Sequence, residues 1–388
     1  MKQLFRLQYE FSNADAYTEK GVDLGAKLRI DDIDDAEVRD VLAAIMPLDL
    51  HDTLQWTKRH QDEYTSLALL PLTVTTPEAV HHHLDGKKPH IVFCERPLHT
   101  ITALNEVLYA LNDTVDEGTI VCCHSMTATL KRHLIMEAYP FGIRQLVVAA
   151  HFLWHRVCPK LGLTRRLYFA ATGGKNRTFH RVEVMGRLYR AGFEVLDEQF
   201  RMGHFFVVAR KVKAPINDPE PLGSPIIHLK RKGKEGRDIV VHKFRTMYTY
   251  SEYIQPYLYH YQHLQKGGKF KDDYRVTPLG RIMRRWWLDE LPMLWNLLRG
   301  DLKLVGVRPL SEHYFSLYNP EMQELRSHVK PGLIPPFFYE RNTPSTIDEI
   351  QASERRYLEA YMKAPLRTDW KYFWGILTNI ILRKKHSA

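Results

Sequence analysis

The stretch from Lys271 to Leu310, KDDYRVTPLGRIMRRWWLDELPMLWNLLRGDLKLVGVRPL, decides how the chain is read, because it packs carboxylates, arginines and backbone breaks into forty residues. At its centre two adjacent acids, Asp289 and Glu290, stand just ahead of an apolar run at helical spacing: Leu291, Leu294, Trp295 and Leu298. Proline is tolerated in the first turn of a helix but not in its interior, so Pro292 predicts a helix beginning at or near Asp289. Both acids then lie at a helix N-terminus, where unpaired N–H groups and the dipole favour ionised carboxylates. Taken alone, an Asp cap followed by a first-turn Glu is an ordinary helix start. The surroundings point further. Arg275, Arg281, Arg284 and Arg285 precede the acids, and beyond the helix come Gly300, a short strand over 302–305 and a turn from Gly306 to Pro309 that carries Arg308. A helix N-terminus ringed by arginines suits a phosphate-bearing ligand. Two acids inside that ring suit a divalent metal bridging to the phosphate, or a nucleophile attacking it.

These residues resemble the catalytic core of the bacterial sugar transferases, the monotopic polyprenyl-phosphate hexose-1-phosphate transferases. That family's pattern runs approximately D-x-R-x-T-x-x-G-x-x-x-R, then L-D-E-L-P-Q, then N-x-x-x-G-D-M-S-L-V-G-P-R-P. It stands here as Asp273, Arg275, Thr277, Gly280, Arg284, Leu288 to Pro292, Asn296, Gly300, Asp301, Val305, Gly306, Arg308 and Pro309. Upstream the family's K-F-R-T-M is intact at Lys243 to Met247, and downstream its K-P-G-[IL] is intact at Lys330 to Leu333. The resemblance implies an α+β catalytic domain and transfer of a hexose-1-phosphate from a UDP-sugar to a polyprenyl phosphate, initiating surface or exopolysaccharide assembly. It implies that Asp289 attacks the β-phosphorus, releasing UMP and leaving a covalent phosphosugar, with Glu290 assisting. Asp289 and Glu290 are the expected ligands of Mg²⁺ (or Mn²⁺), and Lys243, Arg245, Arg275, Arg284 and Arg308 the expected phosphate-binding cations.

A length of 388 residues accommodates two domains, and 44% hydrophobic with 26% charged residues is ordinary for a globular chain. The net charge of +10 implies an acidic partner, which could be nucleic acid, anionic lipid or phosphorylated substrate. Nucleic acid is not expected, because the charge is not interleaved with a recognisable reading motif. Cys94, Cys122, Cys123 and Cys158 show no metal spacing and read as reduced core thiols, which predicts a cytoplasmic chain. The first residues lack the pattern of a signal peptide. The uncharged apolar run Leu146 to Trp154 is far short of the roughly 20 residues that span a bilayer, so no spanning segment is expected.

Residues 1–213 are expected to form an α/β domain. Its opening ninety residues carry weak periodicity, with acid-rich helical patches around Asp31 to Met46. From His90 the chain writes β-α-β: a buried-strand pattern at Ile91 to Cys94, an amphipathic helix over Thr100 to Asn112, a turn at Asp116 to Gly118 and a strand at Thr119 to Cys123. A helix over Phe179 to Ala191 closed by Gly192, then strands at Phe193 to Leu196 and Phe205 to Val208, complete it. This order resembles the second half of a class I methyltransferase-like fold, a degenerate Rossmann-like domain. No glycine-rich loop follows a strand in the first ninety residues, which argues against S-adenosylmethionine binding and for a structural or partner-binding unit. His81, His82 and His83 cannot point one way and read as a solvated loop. The loop Gly173 to Arg177 could touch phosphate or be only a basic connection.

The proline-rich segment 214–224 is the expected linker, with the catalytic domain over 225–388. Members of the family usually carry a hydrophobic inserted helix directly before the strand that begins here at Pro225. The linker has no such helix, which leaves the mode of membrane attachment and the lipid acceptor open. Strands at Ile226 to Lys230 and Asp238 to Phe244 form a basic hairpin that brings Lys243 and Arg245 toward the site. The tyrosine-rich stretch Tyr248 to Tyr261 could be an interfacial face or ordinary packing. In the C-terminal helix Trp370, Phe373, Trp374, Leu377 and Ile381 make a stripe ending in Arg383 to Lys385; it could lie on an anionic bilayer or pack in the core. The family's glycine-leucine-threonine-glycine segment is altered here to Gly332 to Phe338, on the acceptor side of the pocket. The expected partners are a nucleotide sugar, a polyprenyl phosphate and an anionic membrane surface, with the chain peripheral on the inner face of the cell membrane. The alternatives are an inactive scaffold of the same pathway and a methyltransferase acting through the first domain.

Overall fold

The computed structural model describes residues 36–45, 50–60, 67–71, 73–174, 177–201, 204–219, 221, 223–261, 273–340, 344 and 346–383. The chain divides into two compact units, one comprising residues 1–223 with 248–262, the other 224–247 with 263–388.

Unit 1 is built on a five-stranded sheet in the order β1-β2-β3-β5-β4. β1 (Leu67–Leu70), β2 (Ile91–Cys94) and β3 (Ile120–Ser125) are parallel, and every residue in them is buried. A strand covered on both faces has no polar side to alternate, hence the continuous runs Ile-Val-Phe-Cys and Ile-Val-Cys-Cys. β4 (Phe193–Arg201) and β5 (His204–Lys211) form an antiparallel hairpin in which β5 also pairs antiparallel with β3. The helices α1 (Ala36–Ile45), α2 (Leu50–His60), α3 (Pro77–Leu84), α4 (Leu104–Thr114), α5 (Ala128–Ala138), α6 (Ile143–Phe152), α7 (Gly162–Thr172), α8 (Arg181–Arg190) and α9 (Gln255–Tyr261) complete the unit. Val41 and Leu42 of α1 pack on Ile91, Phe93 and Ile120 of the sheet.

The parallel ladder therefore starts one strand earlier than the β-α-β pattern from His90 suggests. Leu67-Ala-Leu-Leu has no β-branched residue to separate it from helix. The part of the acid-rich patch outside Ala36–Ile45 lies outside the described residues. The three histidines end α3 instead of lying in a loop, since Thr76 caps that helix and Pro77 opens it. Cys94, Cys122 and Cys123 are free and buried, and burial pushes the Cys94 and Cys122 thiols up to about 12. The tyrosine-rich stretch is core: Tyr250, Ile254, Tyr257 and Leu258 are buried, and Asn105 Nδ2 donates to Tyr250 Oη at 2.8 Å. Arg177, the last residue of the basic loop, donates to the Ile101 and Thr102 carbonyls.

Unit 2 is α+β with two small sheets. β6 (Ile226–Lys232) and β7 (Asp238–Phe244) form the antiparallel hairpin; β8 (Lys303–Val305) and β9 (Gly332–Ile334) are parallel. Around them lie α10 (Pro278–Arg285), α11 (Met293–Arg299), α12 (Glu312–Ser316), α13 (Pro320–Ser327), α14 (Ile347–Lys363) and α15 (Pro365–Arg383). The core joins Val305, Val307, Met322, Tyr357, Leu358 and Ile376. Two glycines of the motifs permit close approach. A Cβ on Gly280 would meet the Thr246 carbonyl oxygen at 2.1 Å, and one on Gly332 would meet the Gly306 nitrogen at 2.1 Å. So G-x-x-x-R is held against K-F-R-T-M, and K-P-G against V-G-x-R-P.

The C-terminal stripe divides between two environments. Phe373 joins the core with Tyr372 and Ile376, whereas Trp370 and Trp374 are exposed. The side chain of Ile381 and the tail beyond Arg383 lie outside the described residues. Among the described residues no helix is long and apolar enough to cross a membrane.

Candidate active site

The alternation of β6 and β7 fixes which side chains face inward. Opposite residues of an antiparallel pair share a face, so the register Ile227↔Lys243, Leu229↔Val241, Arg231↔Ile239 puts Lys243 and Arg231 beside the apolar Leu229 and Val241. These residues form one wall of a cleft of about 410 Å³. The opposite wall brings Glu290, Trp287 and Arg308, with Leu333, Pro335, Phe337 and Phe338 from the segment that follows Gly332. An apolar groove of about 210 Å³ adjoins it, sharing Trp287, Glu290, Leu333, Pro335 and Phe338 and adding Leu291, Leu294 and Ile334.

Lys243 Nζ donates to Glu290 Oε1 at 2.5 Å, and both side chains remain partly open to solvent. Arg308 is exposed on the cleft wall. Its backbone carbonyl accepts from Arg326, whose guanidinium is buried in an ion pair with Glu354. Arg231 is held below the usual arginine range, first by burial and then by the nearby Arg308. Two cations pressed together in a cleft mark a place for an anion.

The acids are reached through an unusual backbone. Trp287 has φ 53°, a left-handed conformation that costs a non-glycine residue roughly 1 to 2 kcal/mol, and its ring meets Phe338 edge-on at 5.6 Å. A 3₁₀ turn over Leu288–Glu290 follows, and α11 proper begins only at Met293, with Pro292 as its N-cap. The helix thus starts four residues later than Pro292 at a first-turn position implies, because the left-handed Trp287 forces a tight turn first. Asp289 is half-buried and its carboxyl is raised above the ordinary aspartate range. Burial is the largest cause; Lys243 and Arg284 pull the other way, and Glu290 adds to the rise.

α11 is turned opposite to the sense its apolar spacing suggests. Leu291, Leu294, Trp295 and Leu298 face outward, exposed with Leu279, Ile282 and Trp286 of α10 and its C-cap. Its inward side carries Met293 and the fully buried Asn296. Asn296 closes the edge of β7, accepting from His242 N at 3.1 Å and donating to the Val240 carbonyl at 2.7 Å and to Asp301 at 3.2 Å.

The expected cations divide. Lys243 and Arg308 line the cleft. Arg275 is buried and bidentate to Asp273, at 2.8 Å from Nε and 2.7 Å from Nη2, so it shapes the entry to α10 instead of lining the cleft. Arg245 lies at the base of the hairpin, its Nε donating to the Ser224 carbonyl at 3.0 Å. Arg284 donates to Thr246 Oγ1 at 3.0 Å and is held below the usual range by burial, against the pull of Asp273 and Asp289. Asp289 is not among the cleft-lining residues; Glu290 is. Arg231 and Arg326 escape motif reading. Period-2 alternation would have found Arg231, the one basic residue of β6 on the apolar face.

Asp289 and Glu290 offer adjacent carboxylate oxygens, the small protein donor set that Mg²⁺ takes when substrate phosphates and water fill the rest. Among the described residues no group of three or more His, Cys, Asp or Glu side chains is placed to hold a metal.

The cleft thus carries Lys243, Arg231, Arg308 and Glu290, and the apolar groove adjoins it across Trp287 and Glu290. Residues 205–382 match the model of the bacterial sugar transferase family. It is 40% identical over 113 residues to the uncharacterized sugar transferase EpsL of Bacillus subtilis, 29% of this chain and 50% of that protein. It is 34% identical over 117 residues to the undecaprenyl-phosphate galactose phosphotransferase of Salmonella typhimurium, 29% of this chain and 24% of that one. Over 131 residues it is 34% identical to the UDP-glucose:undecaprenyl-phosphate glucose-1-phosphate transferase of Xanthomonas campestris, 33% of this chain and 24% of that one. The chain thus spans half or less of the length of these relatives.

Proposed function

We propose that the chain is a phosphoglycosyltransferase that moves a hexose-1-phosphate from a UDP-sugar to a polyprenyl phosphate in exopolysaccharide or related glycan assembly. The observation that carries this reading is the pairing of a cation-lined cleft with an apolar groove across Glu290 and Trp287. A diphosphate needs the first and a polyprenyl chain the second. The relatives named for transfer to undecaprenyl phosphate, one of them from UDP-glucose, support it.

In the proposed reaction an Asp289 carboxylate oxygen bonds to the β-phosphorus while the bond to the bridging oxygen of UMP breaks, and UMP leaves with that electron pair. An oxygen of the lipid phosphate then bonds to the same phosphorus and returns the carboxylate. Lys243, Arg308 and Arg231 hold the phosphates, and Arg284 stabilises Asp289 as it ionises. Burial keeps Asp289 poorly solvated, which makes it a stronger nucleophile when charged. Mg²⁺, held by Asp289 and Glu290, would neutralise phosphate charge at this place. The chain would work on the inner face of an anionic membrane, with the outward apolar side of α10 and α11 toward the acceptor lipid. Unit 1, whose three parallel strands run into an antiparallel hairpin, is read as a degenerate methyltransferase-like domain without that activity.

The test is purified protein with polyprenyl phosphate against a panel of UDP-sugars, scoring UMP. One sugar should release UMP in an acceptor-dependent way. A panel with no release would overturn the reading.

A further inference from the structure

Unit 1 carries an apolar surface that its own core does not use. No residue of α6 is buried, and beyond the π-helical turn Leu153–Val157 the helix α7 buries Tyr168 while its other described side chains are exposed or half-buried. Phe141 is 81% exposed, Leu146 73% and Leu167 67%, with Phe152, Leu153 and Trp154 exposed beside them. Exposed apolar side chains in this number mark a binding face. Charge selects what covers it. No Asp or Glu occurs from Ala138 to Val182. Arg165 and Arg166 are exposed on α7, and the Arg144 guanidinium lies 5.1 Å over the Phe141 ring. Helices that rest in a bilayer interface have this composition: apolar and aromatic residues on one side, cations at the border and no acids to be repelled by anionic headgroups. The run Leu146 to Trp154 is too short to cross the hydrocarbon but suits a helix lying along it.

We infer that α6, the π-turn and α7 form a docking segment for an anionic lipid bilayer. The inference rests on the membrane reading above for its purpose, but it places the attachment on unit 1. The experiment is flotation of the full chain with vesicles of phosphatidylcholine alone or mixed with phosphatidylglycerol, at low and high salt. The wild type should float with anionic vesicles and be released by salt. Leu146→Glu with Leu167→Glu should lower the bound fraction by at least about tenfold at an unchanged melting temperature. Arg165→Glu with Arg166→Glu should lower it about fivefold at low salt, and decides the matter if the first variant does not fold. Trp370→Glu, on the C-terminal helix, should float as the wild type does. If Trp370→Glu alone releases the protein, the membrane reading stands and the docking segment falls; if the wild type never floats, both fall. A wild-type dimer that the leucine variant makes monomeric, without vesicle binding, would assign the face to a second copy and overturn the inference.

Discussion

Two ion pairs flank the cleft of unit 2, and they are built for different ends. Arg326 and Glu354 are buried, 5% and 1% exposed, and Arg326 also holds the carbonyl of Arg308. Lys243 and Glu290 stand at 16% and 22%, inside the cleft, next to a half-buried aspartate and a left-handed tryptophan. The first pair fixes the turn that carries Arg308, the proposed phosphate ligand. The second is partly open to solvent and, on the proposed function, exchanges its partners for substrate. Structure is stored where charges are sealed, and chemistry is placed where they are not.

That contrast can be broken by substitution. The largest effect belongs to Asp289→Asn, which should lower UMP release by at least about a thousandfold, since an amide is a poor nucleophile and a weak metal ligand. Excess EDTA should abolish turnover to a similar degree, and restoration by Mg²⁺ checks that the loss is not unfolding. Next comes Arg326→Met, which leaves Glu354 buried without its cation and should cost about 3 to 5 kcal/mol of stability, read from urea unfolding. By contrast Lys243→Met should cost under about 1 kcal/mol of stability, because the pair is partly open to solvent. Its activity should fall by about a hundredfold. Equal stability losses in the two variants would erase the distinction drawn between the pairs.

The smallest effect is one of pH. The folded pKa of Asp289 lies above its unfolded value, so its ionisation costs stability once the pH exceeds the folded value and costs none below the unfolded one. Asp289→Asn should therefore raise the melting temperature slightly at pH 7, and the gain should vanish below about pH 4. A lower melting temperature at pH 7 would make Asp289 a structural cap.

Much of this site was legible in the chain itself. The hairpin and the glycine-bearing turns follow from glycine and period-2 alternation, and with the paired acids they point to Lys243, Glu290 and Arg308 without coordinates. Three features were not. A left-handed Trp287 has no sequence signal, and it delays α11. Nor does an apolar stripe say whether it faces a core or a lipid: Leu291, Leu294, Trp295 and Leu298 have the spacing of a buried face, yet Asn296 is the residue that is buried, because only its amide can serve the open edge of β7. Arg275 looked like a ligand for phosphate because Asp273, two residues away, does not announce that it will claim the guanidinium.

The most direct measurement is the intact mass of the chain after incubation with the UDP-sugar that releases UMP, without acceptor. The account predicts a gain of one hexose phosphate on the wild type, mapped to Asp289, discharged on adding polyprenyl phosphate and absent from Asp289→Asn. Acceptor-dependent turnover with no adduct at any time, or an adduct mapped to Glu290, the acid that lines the cleft, would contradict it.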